Sequence, residues 1–321
     1  MRLGPVGLGT FPFSNVFGPV TRSTAEIIVK TFLDGGGRYI QTAPYYEGID
    51  PLMGEILAKV DRDAFRLGTL CVKDRNSQLS GRAESIVAQC NDSLAKLCLD
   101  HIDVYLTSTP EATDAPFSET IAAMEELQRQ GKVVEIGVCN VTLSQLLEYN
   151  ASSSVRYVQN RFSLIDQEAD RDVRDYCVQN GIGLIPYNVI EWGLLTTKIL
   201  GPMRLREGDL RTRVLPVFQA SQVDELRDWV RHSILPISEA YHTSIEALAI
   251  AWVISQPGVT VCLVGATSPA QIVSSLRARE LLGDGDLLAR LDAAYDALGN
   301  QIAERNGCSI NEFLRNSCGL W

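Results

Sequence analysis

The residues of this chain best placed for chemistry stand where short apolar runs end. Thr10, Gln41, Tyr46, Lys73, Ser108, Asn140, Gln159, Tyr187 and Gly265 each close or closely follow such a run. An ammonium beside a phenol favours the phenolate and brings its pKa of about 10 toward neutrality. Tyr46 and Lys73 together could therefore do acid–base chemistry. Metal chemistry has no comparable support. His101, His232 and His242 are scattered, and the eight cysteines (Cys71, Cys90, Cys98, Cys139, Cys177, Cys262, Cys308 and Cys318) show no zinc-knuckle spacing. Most sit in apolar patterns, as in Leu70-Cys71-Val72, and read as buried reduced thiols.

The elements that must carry these residues follow from periodicity. Near-continuous apolar runs predict strands at Val6–Thr10, Tyr39–Ala43, Leu67–Lys73, Ile102–Ser108, Val133–Asn140, Tyr157–Arg161, Gly183–Asn188 and Val259–Ala266. Amphipathic stretches between them predict helices at Ser23–Leu33, Met53–Val60, Ala83–Leu97, Phe117–Arg129, Leu143–Tyr149, Glu168–Gln179, Ile245–Ile254 and Pro269–Ala278. Ser80 and Ser268-Pro269 supply helix start signals. Strict alternation of eight strands and helices predicts a closed (β/α)8 TIM barrel, whose site lies at the C-terminal strand ends. With no interdomain linker in view, a single domain over residues 1–321 is expected, with a C-terminal helical tail from about residue 282 (Leu287–Ile302 being amphipathic). The Gly/Pro/Arg-rich segment Gly201–Pro216 reads as a long loop over the barrel mouth.

A formal net charge of -10 and a pI near 4.9 argue against nucleic acid or an anionic membrane as partner, leaving a small molecule. Ile245–Ile254 is the longest apolar stretch, contains Glu246, and is too short to span a bilayer. Met1-Arg2-Leu3-Gly4-Pro5 has no signal-peptide pattern, and a cytoplasmic location is expected.

Several strand ends, taken in order over about residues 3–280, resemble motifs of the aldo-keto reductases. Leu8-Gly9-Thr10-Phe11 resembles the first-strand turn. Gln41-Thr42-Ala43-Pro44-Tyr45-Tyr46-Glu47-Gly48 resembles an Asp-Thr-Ala…Tyr-Gly signature, with one extra residue, Glu47, before the glycine. Asp103 to Pro110, Gly131-Lys132-Val133, Ile136 to Asn140, Val158-Gln159-Asn160, Tyr187-Asn188, Gly193 to Thr196 and Val264 to Gln271 continue the match. The resemblance implies a catalytic tetrad of Asp, Tyr, Lys and His, but those positions here read Gln41, Tyr46, Lys73 and Ser108. In such enzymes the tyrosine protonates the carbonyl oxygen while NAD(P)H delivers hydride. Without the aspartate, Lys73 loses the charge that keeps it protonated, and Ser108 is a shorter-reaching donor than histidine. The family's N-terminal hairpin plug has no counterpart before Val6. The floor must be closed otherwise, for which the C-terminal tail is a candidate.

By the same resemblance Asn140 and Gln159 would bind a nicotinamide carboxamide and Tyr187 would stack on its ring. Gly9, Thr10, Gly193, Leu195, Thr196 and Gly265 would line the cofactor, and Thr267, Ser268 and Gln271 would grip a 2′-phosphate. NADPH is thus expected, with NADH not excluded; Ser274-Ser275 replace the usual Glu-Asn at the adenine, and no arginine lies in Thr267–Gln271. Phe11, Thr109, Glu191 and Trp192 are candidate substrate-pocket walls. The resulting expectation is an oxidoreductase acting on a specialised carbonyl or an activated double bond. Two alternatives stay open: a non-redox lyase, dehydratase or isomerase using Tyr46 and Lys73, and a non-catalytic binding protein on the same barrel.

Overall fold

A computed structural model describes residues 1–71, 80–107, 115–168, 170–202, 205–214 and 222–317. Among these, eight strands pair in parallel: β1 (Val6–Gly9), β2 (Tyr39–Gln41), β3 (Arg66–Cys71), β4 (Ile102–Thr107), β5 (Val133–Cys139), β6 (Val155–Gln159), β7 (Gly183–Leu184) and β8 (Cys262–Gly265). Their order is β7-β6-β5-β4-β3-β2-β1-β8, so the first and last strands are neighbours, with Val6 opposite Cys262 and Gly9 opposite Gly265. The remaining seam closes through Leu184, whose N–H donates to Gly258 O (2.8 Å) and whose carbonyl accepts from Thr260 N (2.9 Å). The result is the (β/α)8 barrel that the alternation implied.

Helices α1 (Arg22–Asp34), α2 (Ile49–Leu57), α3 (Ala83–Leu97), α4 (Phe117–Arg129), α5 (Leu143–Tyr149) and α6 (Arg171–Asn180) follow the first six strands. The short α7 (Arg211–Val214), then α8 (Gln222–Trp229), a π turn over Val230–Ile234, α9 (Leu235–Ala240) and α10 (Ile245–Ile254) lie between β7 and β8. After β8 come α11 (Pro269–Leu276), α12 (Gly285–Asn306) and α13 (Ile310–Ser317). The bounds of α3, α4, α5 and α10 are those that periodicity gives. α2 starts four residues earlier than expected, at Ile49, because Gly48 at φ 73° turns the chain into it. α8 and α9 were not anticipated. Ser80 does not cap α3; Arg82 holds the N-cap position, and Ser80 Oγ accepts from its backbone N–H (3.1 Å).

The barrel interior is packed by Tyr39, Leu70, Val104, Leu106, Tyr157, Ile185, Val261 and Leu263, with Leu3 completing the same cluster. Leu3 precedes β1 and is 1% exposed, so it lies at the N-terminal end of the strands and fills the floor. The tail does not. Leu287, Leu291, Ala294, Leu298 and Ile302 bury α12 on the barrel's flank, where Trp229 Nε1 donates to Ala294 O and Trp252 Nε1 to Asp292 Oδ1, both at 2.7 Å. Gly68 shows how tightly the interior is filled, because a Cβ there would lie 2.0 Å from the Tyr39 hydroxyl. Of the seven described cysteines five are buried, while Cys98 is exposed and Cys308 half-buried. No helix among the described residues is long and apolar enough to cross a membrane.

Candidate active site

At the C-terminal ends of the strands the structure opens into a cavity of about 880 Å³, within the usual range for small-molecule sites. Gly9, Phe11, Gln41, Tyr46, Asn140, Gln159, Tyr187, Trp192, Gly193, Thr196, Gly265, Thr267 and Gln271 all line it. They come from loops and strand ends spread over the whole chain, and the barrel alone brings them together.

Gln41 ends β2 on the inward face that Tyr39 shares two residues earlier. The buried Tyr39 hydroxyl donates to Gln41 Oε1 (2.8 Å), and Gln41 Nε2 donates to Gln159 Oε1 (2.6 Å). This neutral chain occupies the place where the resemblance implies a carboxylate. It also fixes the Gln159 amide, whose Nε2 has no partner among the described residues and remains available to a ligand. Tyr187 Oη donates to Asn140 Oδ1 (2.7 Å), which leaves the Asn140 Nδ2 hydrogens free in the same way. Asn140 holds φ at 55°, a conformation asparagine tolerates better than most residues. Cys139 beside it is 3% exposed, and burial pushes its thiol up to about 12, so it presents a neutral S–H.

Tyr46 is half-buried between aromatic neighbours. Its ring lies 4.9 Å from that of Phe11 and 4.7 Å from that of Tyr45. Burial drives its phenol well above the ordinary tyrosine value, with Tyr45 next in effect. That direction opposes the pull of an adjacent ammonium. Lys73 and Ser108, expected beside Tyr46 by resemblance, and Thr109, expected on the substrate-pocket wall, lie outside the described residues.

Across the cavity, Glu191, Trp192 and Gly193 take consecutive left-handed conformations with φ of 46°, 56° and 97°. The segment is closed internally, with the N–H groups of Glu191 and Gly193 donating to Asn188 O (2.8 Å) and Ile190 O (3.0 Å), and those of Leu194 and Leu195 to Glu191 O (2.9 Å) and Ile190 O (3.1 Å). Two of the three are not glycine, and each such position costs of order 1–3 kcal/mol. The strain is held by Glu191 from beneath. Expected on the pocket wall, Glu191 is instead 2% exposed and paired with Arg161 (2.5 Å), and its other oxygen accepts from Ser163 Oγ (2.6 Å). Leu195 (1% exposed) and Thr10 (0%) are likewise behind the wall: Leu195 packs in the core, and Thr10 Oγ1 donates to Gln41 O (3.1 Å). Ser268 is the N-cap residue of α11 but makes no side-chain cap bond and does not line the cavity.

Among the further cavity residues that sequence reasoning did not single out are Phe17, Tyr45, Lys198, Arg211 and Glu246. Phe17 packs edge-on against Trp192 (5.6 Å), and the Arg211 guanidinium lies over Phe17 (5.4 Å) while donating to Trp192 O (3.1 Å). Leu210 N donates to Val16 O (2.9 Å). The loop after β1 is thereby tied to the segment before α7, which in the described part of Gly201–Pro216 does reach over the mouth.

A parallel barrel with a phenol and two free carboxamide donors around one cavity defines a class of small-molecule enzyme. The sequence profile described as "Aldo/keto reductase family" matches residues 5–296, and the chain belongs to that family. It is 29% identical to the NADH-specific methylglyoxal reductase of Escherichia coli (strain K12), over 89% of this chain and 93% of that protein. With the aldo-keto reductase YhdN of Bacillus subtilis (strain 168) it shares 30% identity over 83% of this chain and 82% of that one. The solved structure of the glycerol dehydrogenase AKR11B4 from Gluconobacter oxydans superposes with a TM-score of 0.80 at 22% identity, covering 95% and 93% of the two chains. Family and relatives make this chain an oxidoreductase.

Proposed function

We propose that the protein, acting as one domain in the cytoplasm, uses a nicotinamide dinucleotide to reduce a specialised carbonyl or an activated double bond. The observation that carries this reading is that Tyr46 shares one cavity wall with Asn140, Gln159 and Tyr187. A proton donor thus stands beside groups suited to a carboxamide and an aromatic ring. The free Nδ2 of Asn140 and Nε2 of Gln159 fit the carboxamide oxygen as donors, and Gly193–Thr196 are assigned to the pyrophosphate by resemblance. A bound dihydronicotinamide would supply the hydride. Tyr46 then holds the proton at Oη and gives it to the substrate oxygen as charge develops there, its ring fixed by Phe11 and Tyr45. Gln41 acts one shell back, fixing the Gln159 amide without adding charge. Lys73 and Ser108 are assigned to the tetrad by resemblance alone.

The direct test is titration of the purified protein with NADH and NADPH by nicotinamide fluorescence. A dissociation constant of about tens of micromolar or tighter, roughly −6 to −7 kcal/mol, is expected for at least one of them. No binding at millimolar nucleotide would remove hydride transfer and leave proton transfer alone, as in a lyase or isomerase. A second expectation concerns pH. Because burial raises the Tyr46 pKa, the phenol stays protonated across neutrality, and kcat for reduction should be flat over roughly pH 6 to 8. A rate falling tenfold per pH step in that range would show that the proton comes from a group titrating near neutrality, either a phenol lowered by Lys73 or another residue.

A further inference from the structure

We propose that Glu246 sets the dinucleotide preference, admitting NADH through its free ribose hydroxyls and disfavouring the 2′-phosphate of NADPH. The inference rests on the nicotinamide-dependent reading above. Glu246 is the sole charged residue of α10, a helix otherwise made of Ile, Ala, Leu, Trp and Val, and it stands two residues after the N-cap Ser244. Its side chain lines the cavity together with Thr267, Gln271 and Ser275, the stretch that the resemblance assigns to the adenosine end. Oε1 accepts from Ser274 Oγ (2.8 Å), which lies 2.7 Å from Ser244 Oγ. Oε2 is buried and has no hydrogen-bond partner among the described residues. A carboxylate in the first turn of α10 suits the helix dipole, but that role leaves Oε2 unmatched.

A carboxylate only accepts hydrogen bonds, and its unmatched Oε2, shielded from solvent, carries a desolvation cost that a donor recovers once the side chain turns toward it. The 2′- and 3′-hydroxyls of an unmodified ribose are such donors, the pairing that acidic residues make in other dinucleotide sites. A 2′-phosphate offers no donor there at neutral pH and brings negative charge toward a carboxylate in a partly dehydrated cleft, where like charges repel strongly. The neighbouring Thr267, Gln271 and Ser275 are neutral and bring no positive charge to offset this. Gln271 is folded back, its Oε1 accepting from Thr267 N (2.7 Å) and Thr267 Oγ1 (3.3 Å). Of the two cations that line the cavity among the described residues, Arg211 is engaged by Asp209 through bonds of 2.9 and 2.7 Å, and Lys198 is carried by the loop that follows Gly193–Thr196.

The test compares equilibrium dissociation constants of NADH and NADPH for the wild-type protein and for Glu246→Gln, with thermal melting to verify folding. The amide keeps an oxygen for Ser274 and replaces the buried acceptor with a donor of the same size. NADH is expected to bind at least about tenfold more tightly than NADPH to the wild type, and Glu246→Gln to shrink that ratio by about tenfold, mainly by strengthening NADPH. Equal affinities, or an NADPH preference in the wild type, would overturn the proposal whether or not the variant folds. A wild-type NADH preference that survives unchanged in Glu246→Gln would overturn the role of this residue. Failure of both nucleotides to bind would overturn the proposal together with the reading beneath it, an outcome distinct from the other two.

Discussion

Tyr46→Phe is expected to lower kcat by ~10²–10⁴-fold, the contribution typical of a positioned general acid, while leaving nucleotide affinity within about twofold. The substitution removes one hydroxyl and keeps the ring that packs on Phe11 and Tyr45. Stability should therefore change little, and the loss should reside in the chemical step. Single-turnover measurement of nucleotide oxidation separates that step from product release. Near-normal single-turnover rates in the variant would place the proton donor elsewhere in the cavity. A loss confined to nucleotide binding would reduce Tyr46 to a wall residue.

The second large effect is structural. Glu191→Ala should destabilise the protein by about 3 kcal/mol or more, because it leaves Arg161 without one of its buried partners and Ser163 without its acceptor. Asp166 lies 3.0 Å from Arg161 Nε and retains part of the pairing, so the loss should stop short of unfolding the chain. Glu191→Gln keeps an oxygen for Ser163 and should cost less. Both changes slacken the strained turn at Glu191–Gly193, and nucleotide affinity should fall with stability. Urea unfolding alongside nucleotide titration reads the two together. A Glu191→Ala protein less than about 1 kcal/mol less stable than wild type would mean that the ion pair is not what holds the turn.

Much of this architecture was legible because strands buried on both faces and helices buried on one leave different apolar periods. The four helices whose ends matched exactly are bounded by local signals that tertiary packing did not override, such as the Thr142–Gln145 capping box before α5. α8 and α9 were missed because they follow a Gly/Pro-rich segment and are split by a π turn, which breaks the regular period. In the site, inward-facing strand-end residues such as Gln41 and Gln159 were readable from position alone. Glu191 was not: its neighbours in sequence face the cavity, while its left-handed backbone turns its own side chain down toward Arg161. Glu246 had a visible signal, a lone carboxylate within an apolar helix, but nothing in the sequence says that the helix start abuts the cavity. Phe17 and Lys198 lie in connecting segments and Arg211 opens the short α7, whose courses depend on contacts between loops far apart in the chain.

The adjacency of β1 and β8 has a consequence for biogenesis. Residues 6–9 find one of their two partner strands only at residues 262–265. During synthesis at about 5–20 residues per second, β1 waits tens of seconds or less with one edge bare, and so does every partial barrel built on it. A bare parallel edge is a template for pairing with another chain. Closure also carries the entropy of joining distant segments before the ring of strands rewards it, which slows the final step. Ribosome-bound chains ending before Cys262 should therefore be the most aggregation-prone species this protein passes through, and the ones most dependent on chaperones.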